Sequence, residues 1–293
     1  MFLQGISGQR RPQMPRAGDD EAEIPIIDFQ RLLMDSHEEA ARLHGACQEW
    51  GFFQLINHGI PHDVVEGMKA GVEGFFQQPA ETKKQFAQER GQLDGYGQLF
   101  VVSEDQKLDW ADILFLNTQP PQDRNMRFWP DKPANLRRTL DNIRPLMNYY
   151  PPCAEAHKVV GFAPHSDSDL LTLVLQVNEV QGLQIRGRED GSWVPVKPVE
   201  GSLVVNVGDI FEIFTNGRYR SIEHRAMINT EKERLSVAAF HSPSVHATIG
   251  PLREVMAHGE EVLYKTVDHE RSMRLFFSAK LEGKSFLQRM KLT

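Results

Sequence analysis

Three short stretches in the C-terminal half carry residue types that could do chemistry together: His165-Ser166-Asp167, His224, and Arg234-Leu235-Ser236. Two imidazoles and one carboxylate on one face of a metal leave the opposite face open. That geometry suits a non-heme Fe(II) centre that must hold dioxygen and a co-substrate at once. An arginine and a serine at i and i+2 on a strand project from the same side, so together they can grip a remote carboxylate.

Taken singly, these features are weak, because the chain has eleven histidines. Read as a strand, His165 and Asp167 share one face. His224 follows 57 residues later, and only a fold that returns its strand beside the first can close the triad. Alternation places Arg234, Ser236, Ala238 and Phe240 on one face and Leu235, Val237 and Ala239 on the other, so the arginine points inward with Phe240. A buried arginine needs a carboxylate, and none shares its parity on this strand, which leaves room for an incoming dicarboxylate. Asn148 and Tyr150 form a second inward-facing pair, and His241, of opposite parity to Phe240, falls outside the site.

The elements that must position these residues follow from periodicity. From residue 148 onward short apolar runs recur at Leu170–Val177, Gly182–Ile185, Trp193–Val199, Ser202–Val207, Ile222–Ile228 and Leu235–Phe240. Asp190-Gly191, Glu200-Gly201 and Asn216-Gly217 punctuate them as turns. This is the rhythm of an antiparallel sandwich or jelly roll, which returns distant strands side by side. The segment Asp268–Met290 reads as a helix against that core.

The N-terminal half reads as helices around a few strands. Ile24–Phe29 suits an edge strand, Ser36 with Glu39 a capping box, and Gly51 a helix stop. Phe52–Asn57 suits a buried strand, and Pro61 opens a helix with Val65, Met68, Val72 and Phe75 on one face. Strand-like stretches follow at Leu99–Val102 and Ile113–Leu116. The expected class is α+β with a mainly β core. Residues 1–20 form a flexible tail, 21–147 a helical and strand region packed on the core, and 148–293 a jelly-roll catalytic core, all one structural unit.

Composition narrows the function. The net charge of −7 offers no basic field for nucleic acid or an anionic membrane surface. Two cysteines, Cys47 and Cys153, are too few for a disulfide framework and fit a reducing cytoplasm. No apolar run approaches the length of a bilayer span, and the N-terminus lacks the pattern of a secretory signal. The expected partner is a small-molecule substrate, and the expected state a cytoplasmic monomer.

From Ile24 to its end the chain resembles the plant soluble 2-oxoglutarate- and Fe(II)-dependent dioxygenases of specialised metabolism. The motifs that carry the resemblance are Asn148-Tyr149-Tyr150-Pro151-Pro152-Cys153, Pro164-His165-Ser166-Asp167, Gly208-Asp209, Ser221-Ile222-Glu223-His224-Arg225, and Arg234-Leu235-Ser236 with Phe240-His241-Ser242-Pro243. Glu49-Trp50-Gly51-Phe52-Phe53 and Asn57-His58-Gly59 match as well. Asp109-Trp110-Ala111-Asp112 resembles the senescence-related oxygenases and the alkaloid O-demethylases.

The resemblance implies a double-stranded β-helix in which His165, Asp167 and His224 hold iron. Arg234 and Ser236 would bind the distal carboxylate of 2-oxoglutarate, helped by Asn148 and Tyr150. Phe240, Tyr96 and Phe100 would line the pocket of a flat hydrophobic substrate. The reaction would consume 2-oxoglutarate and dioxygen, release succinate and carbon dioxide, and hydroxylate or oxidatively demethylate the substrate, with ascorbate keeping the iron reduced.

One departure stands out. Members of this family carry a helical segment between the stretch resembling Pro133–Asn142 and the Asn-Tyr-Tyr strand, and here residues 141–147 join the two directly. Pro145 cuts the stripe begun by Leu136, Leu140 and Ile143, and Leu146 stands where relatives carry a basic residue. A partly exposed sheet face is therefore expected. Two other readings share the fold: an oxidase that does not use 2-oxoglutarate, and an impaired variant that binds ligand without turnover.

Overall fold

A computed structural model describes residues 23–89, 92–98, 107–118, 121–139, 145–188, 190–277 and 284–292. Apolar runs that read as buried strands pair into two facing sheets. Among the described residues the larger sheet has eight strands: β1 (Ile26–Asp28), β2 (Phe52–Ile56), β3 (Gly95–Gly97), β4 (Asp112–Phe115), β5 (Pro145–Tyr150), β7 (Leu171–Gln176), β10 (Leu203–Val207) and β12 (Arg234–His241). They lie in the order β1-β2-β10-β7-β12-β5-β4-β3. The smaller sheet, ordered β6-β11-β8-β9, comprises β6 (Phe162–His165), β8 (Leu183–Arg186), β9 (Trp193–Pro195) and β11 (His224–Ala226). This is the double-stranded β-helix expected from the strand rhythm.

Strand alternation divides the core into two layers. Phe52 and Val204 face the smaller sheet and pack with Ile185, Val194 and Val196. Their neighbours Phe53 and Val205 face the other way, onto Ala46 and Cys47. Every residue of β10 is buried, which explains its nearly unbroken apolar sequence. Asn206 is the exception in that run, and it shares the inward parity of Val204.

Several local expectations are refined. Ser36 Oγ accepts the Glu39 N–H, but the Glu39 carboxylate turns to the backbone N–H of Asp28 at 2.8 Å, so the cap also ties a helix to the edge strand. Gly51 ends its helix at φ +62°, and a Cβ there would meet the Arg220 carbonyl oxygen at 2.1 Å, so both conformation and space demand glycine. Asn216-Gly217 is not a turn between strands: a helix, Asp209–Phe214, intervenes, and Asn216 follows its C-terminus at φ +50°. The single C-terminal helix expected over Asp268–Met290 is described as two, His269–Phe277 and Ser285–Met290. The expected strand at Leu99–Val102 and the tail 1–20 lie outside the described residues.

The expectation of an exposed sheet face at β5 is overturned. Met147 is fully buried with Leu114, Leu136 and Phe75. The helix His62–Phe76 closes over this face because Gly71 and Gly74 let Leu136 and Pro133 approach it; a Cβ at Gly71 would already be 3.2 Å from Leu136. The short segment before β5 therefore leaves the described core covered.

Candidate metal centre and adjoining cavity

The smaller sheet brings the two histidines together by direct pairing. His165 on β6 is the antiparallel partner of His224 on β11, and their rings lie 4.3 Å apart between centroids. Asp167 is not on the strand with His165, as alternation suggested. β6 ends at His165, and Asp167 reaches the site from the following loop, held by the Asp209 N–H donating to its carbonyl at 2.7 Å. Its Oδ1 lies 3.5 Å from His165 Nε2 and 3.6 Å from His224 Nε2. One ligand atom from each residue falls within 4.8 Å of the others, and this is the one such group among the described residues.

The surroundings prepare all three side chains to bind a cation. His165 Nδ1 contacts the Ala163 carbonyl at 2.8 Å and His224 Nδ1 the Ile222 carbonyl at 3.1 Å. A carbonyl can only accept, so each Nδ1 carries the proton and each Nε2 lone pair points at the shared centre. Burial pulls the His224 pKa down to about 4, which keeps the ring neutral at physiological pH. Burial works against a charge on Asp167; protonated imidazoles at His224 and His165 would outweigh it, and with both rings neutral the Thr172 hydroxyl is the donor that favours the carboxylate. Thr172 and Asn206 Nδ2 both donate to Asp167 Oδ2, leaving Oδ1 to face the histidines.

Sequence reading missed these two supports. The available signal was a polar residue inside each of two otherwise apolar runs, Thr172 within Leu171–Leu175 and Asn206 within Leu203–Val207.

Behind Asp167 lies a second carboxyl with a different character. Asp209 is buried, accepts the Ser166 hydroxyl at 3.0 Å, and has Oδ1 without a hydrogen-bond partner. Burial raises its pKa from 3.8 to about 7. Below pH 4 both the folded and unfolded chains hold this proton, and this group's own contribution to stability is greatest. As pH rises toward 7 the unfolded chain ionises first, so stability falls and then levels off. Asp209→Asn keeps the acceptor for Ser166 and removes the titration. Chemical denaturation between pH 4 and 7 should therefore show the variant gaining stability relative to the parent as pH rises, by up to ~1 kcal/mol per pH unit. Identical slopes would show that Asp209 ionises normally in the fold.

The larger sheet supplies the opposite wall. Arg234 on β12 pairs with Tyr150 on β5, and Ser236 with Asn148, so all four side chains face the metal ligands as parity required. Arg234 is buried at 3 % exposure, its guanidinium 5.2 Å from the Tyr150 ring and its Nη1 3.5 Å from Ser236 Oγ. None of the ion pairs among the described residues involves it. Arg234 Nε and Asn148 Oδ1 are buried without hydrogen-bond partners. A cavity of about 60 Å³ touches Arg234, Ser236, Asn148, Tyr150 and all three metal-ligand candidates. A guanidinium without a carboxylate partner, a hydroxyl and an amide around one small void make a receptor for an anionic group.

A larger cavity of about 490 Å³ adjoins it across His165, Asp167 and Phe240. Phe115, Phe162, Phe276 and Phe286 give it an aromatic wall. Of the three residues expected to line a substrate pocket, Phe240 borders both cavities. Tyr96 borders neither: its hydroxyl donates to Asp112 Oδ2 at 2.6 Å, Lys83 lies over its ring, and it packs on Phe75. Phe100 lies outside the described residues. His269, which sequence alone could not separate from solvated histidines, is buried and lines the large cavity, with Nδ1 on the Ser244 carbonyl. The exclusion of His241 agrees with its exposed position. Asp109 accepts the Ala163 N–H at 3.0 Å and Trp110 Nε1 donates to the Pro151 carbonyl, so the Asp-Trp-Ala-Asp segment braces β6 from outside.

Comparison with known proteins agrees with this geometry. Residues 24–132 match the N-terminal region described as non-haem dioxygenase in morphine synthesis, and residues 145–243 match the 2OG-Fe(II) oxygenase superfamily. S-norcoclaurine synthase 1 of Coptis japonica is 44% identical over 310 residues, covering 94% of this chain and 87% of that protein. The alignment is longer than this 293-residue chain, so the relative carries residues with no counterpart here. Codeine O-demethylase of Papaver somniferum is 38% identical, covering 94% of this chain and 86% of that one. The crystal structure of JOX2 in complex with 2OG, Fe and JA superposes with a TM-score of 0.84 at 29% identity, covering 100% of this chain and 96% of that one. A facing pair of sheets, a paired-histidine and carboxylate cluster, and family matches over both halves lead to one conclusion: the chain belongs to the 2-oxoglutarate- and Fe(II)-dependent oxygenase superfamily and is an oxidoreductase of that kind.

Proposed function

We propose that this enzyme hydroxylates or oxidatively demethylates a small aromatic, hydrophobic metabolite. In this reading His165, Asp167 and His224 hold Fe(II), and Arg234 and Ser236 bind the distal carboxylate of 2-oxoglutarate with Asn148 and Tyr150 beside them. The observation that carries it is the buried Arg234, which lacks a carboxylate partner and opens onto the same small void as the metal ligands. A buried, unpaired cation is costly unless a ligand answers it. The iron, with 2-oxoglutarate and dioxygen, supplies the oxidising chemistry when bound.

The chain's own residues select and orient. The Nδ1 bonds to Ala163 and Ile222 fix both imidazoles, Thr172 and Asn206 fix the carboxylate, and the phenylalanines exclude water above them. The fork of Arg234 sets the far end of the co-substrate. Gly182 makes room for it, since a Cβ there would lie 2.7 Å from Arg234 Cδ and 2.8 Å from the Met227 carbonyl oxygen. Gly182→Ala should therefore displace the guanidinium and weaken 2-oxoglutarate binding severalfold while metal binding holds, as read by calorimetry. Unchanged binding would free Arg234 from this constraint.

The purified protein, given Fe(II), 2-oxoglutarate and ascorbate, should be screened against flavonoids, alkaloids, indoleamines and phytohormones, reading succinate and product mass. One class should yield succinate matched to product gaining one oxygen or losing one methyl group. Product without succinate would establish an oxidase that bypasses 2-oxoglutarate.

A further inference from the structure

The helix His269–Phe277 turns one face to the large cavity: His269, Ser272, Met273 and Phe276, at i, i+3, i+4 and i+7, all line it. Met273 and Phe276 extend the apolar wall. His269 and Ser272 interrupt it with polar side chains, although both residues are buried, at 3 % and 1 % exposure.

The protons of these polar groups are engaged within the protein. His269 Nδ1 lies 2.9 Å from the Ser244 carbonyl, which can only accept, so Nδ1 carries the proton and Nε2 of the neutral ring holds a lone pair. No described residue bonds to Nε2. Ser272 Oγ donates to the His269 carbonyl at 2.8 Å, and the hydroxyl of Ser242, another lining residue, donates to Asp169 Oδ1. Both hydroxyls therefore have lone pairs, and not protons, left to offer a ligand.

We infer that His269 is the specificity-determining residue of this cavity: its Nε2 accepts a hydrogen bond from a free phenolic hydroxyl of a flat aromatic substrate, so the site selects phenols over their methyl ethers. The inference rests on the proposal that the cavity is the substrate pocket of the oxygenase.

The imidazole is preorganised for this role. Its backbone N–H donates to the Ala247 carbonyl at 2.9 Å and its Nδ1 is tied to Ser244, so little ordering remains to be done when a donor arrives. A phenol brings an O–H to the lone pair. A methyl ether of the same skeleton brings a methyl group and further lone pairs, and it shuts water out while leaving Nε2 unpaired. Sites that hydrogen-bond a substrate hydroxyl reject analogues without one more strongly than the volume of a methyl group alone allows. The same cavity touches His165, Asp167 and Phe240, so a ring anchored at His269 stays in the compartment onto which the metal cluster opens.

The probes are 1-naphthol, 2-naphthol and the methyl ether of each, small enough to turn within a cavity of about 490 Å³ until the hydroxyl meets His269. Each is titrated at pH 8, without oxygen, into the full-length protein holding Fe(II) and 2-oxoglutarate, and binding is read by calorimetry. At least one naphthol should bind about tenfold tighter than its own methyl ether. His269→Asn sets an amide N–H near the place of Nδ1, keeping the tie to Ser244 while withdrawing the acceptor, and should erase that preference. His269→Gln sets its amide near the place of Nε2, loses the tie to Ser244, and should retain most of the preference. A purely structural role for His269 would give the reverse order.

Methyl ethers that bind as tightly as both naphthols overturn the inference. So does a preference that survives in His269→Asn, or a failure of either naphthol to bind at all. If His269→Asn does not fold, His269→Gln decides, and loss of the preference there overturns the inference. Failure here leaves the oxygenase reading standing, because succinate formation is measured independently; failure of that reading would show as absent succinate whichever probe binds.

Discussion

His224→Ala should abolish succinate formation while leaving a folded protein. His224 opens β11 and pairs there with His165, the last residue of β6, with Nδ1 on the Ile222 carbonyl and its ring edge-on to Phe52 at 5.3 Å. Removing the ring deletes one of three ligands and lets water into the position it held. Altering groups that merely support metal ligands costs ~10–100-fold in affinity or activity, so removing a ligand itself should cost more. The structural penalty is one hydrogen bond and two ring contacts, with Phe52 and His165, together ~2–4 kcal/mol. Metal titration, thermal melting and a succinate assay on one preparation separate these effects. Substantial succinate from a folded His224→Ala variant would remove this residue from the metal centre.

Arg234→Lys should produce the second-largest change, and a different one. Lysine keeps the charge but loses the planar fork, and its ammonium cannot reach a carboxylate with two parallel bonds. The affinity for 2-oxoglutarate should weaken by ~1–3 kcal/mol, an order of magnitude or more, with Fe(II) binding nearly unchanged. Arg234 also stacks near Tyr150 and is packed against Gly182, so the shorter contact surface of lysine adds to the loss. Calorimetric titration of 2-oxoglutarate into the iron-loaded protein reads this directly. Equal affinities in the variant and the parent would assign Arg234 to structure and favour the oxidase alternative.

What the sequence made legible, and what it hid, follows from the range of the interactions involved. The inward parity of Arg234, Ser236, Asn148 and Tyr150 was readable because strand alternation is a local rule, and β12 and β5 are regular throughout. The Asp167 backbone was misread for the converse reason. His165-Ser166-Asp167 has strand spacing, but β6 ends at His165, and a hydrogen bond from Asp209, distant in sequence, holds the loop that delivers the carboxylate.

The helix Asp209–Phe214 escaped notice because its run Asp-Ile-Phe-Glu-Ile-Phe is too short to show a helical period, and Gly208 offers no side-chain cap. That glycine is dictated by space: a Cβ would meet the Asp169 carbonyl oxygen at 2.1 Å. Tyr96 was assigned to the pocket by family position. Its hydroxyl is instead satisfied by Asp112, a contact that nothing local in the sequence announces. The covered face at β5 depended on close approach at Gly71 and Gly74, which only packing reveals.

One titration joins the metal cluster to the Arg234 guanidinium. 2-Oxoglutarate is added without oxygen to three samples: the metal-free protein, the Fe(II)-loaded protein, and the Fe(II)-loaded Arg234→Lys variant. The geometry predicts a single site with full affinity only when iron and Arg234 are both present, because the chelating end of the ligand needs the metal and its far carboxylate needs the fork. Equal binding with and without iron, or binding indifferent to Arg234, would show that the small cavity between His224 and Arg234 is not the co-substrate site.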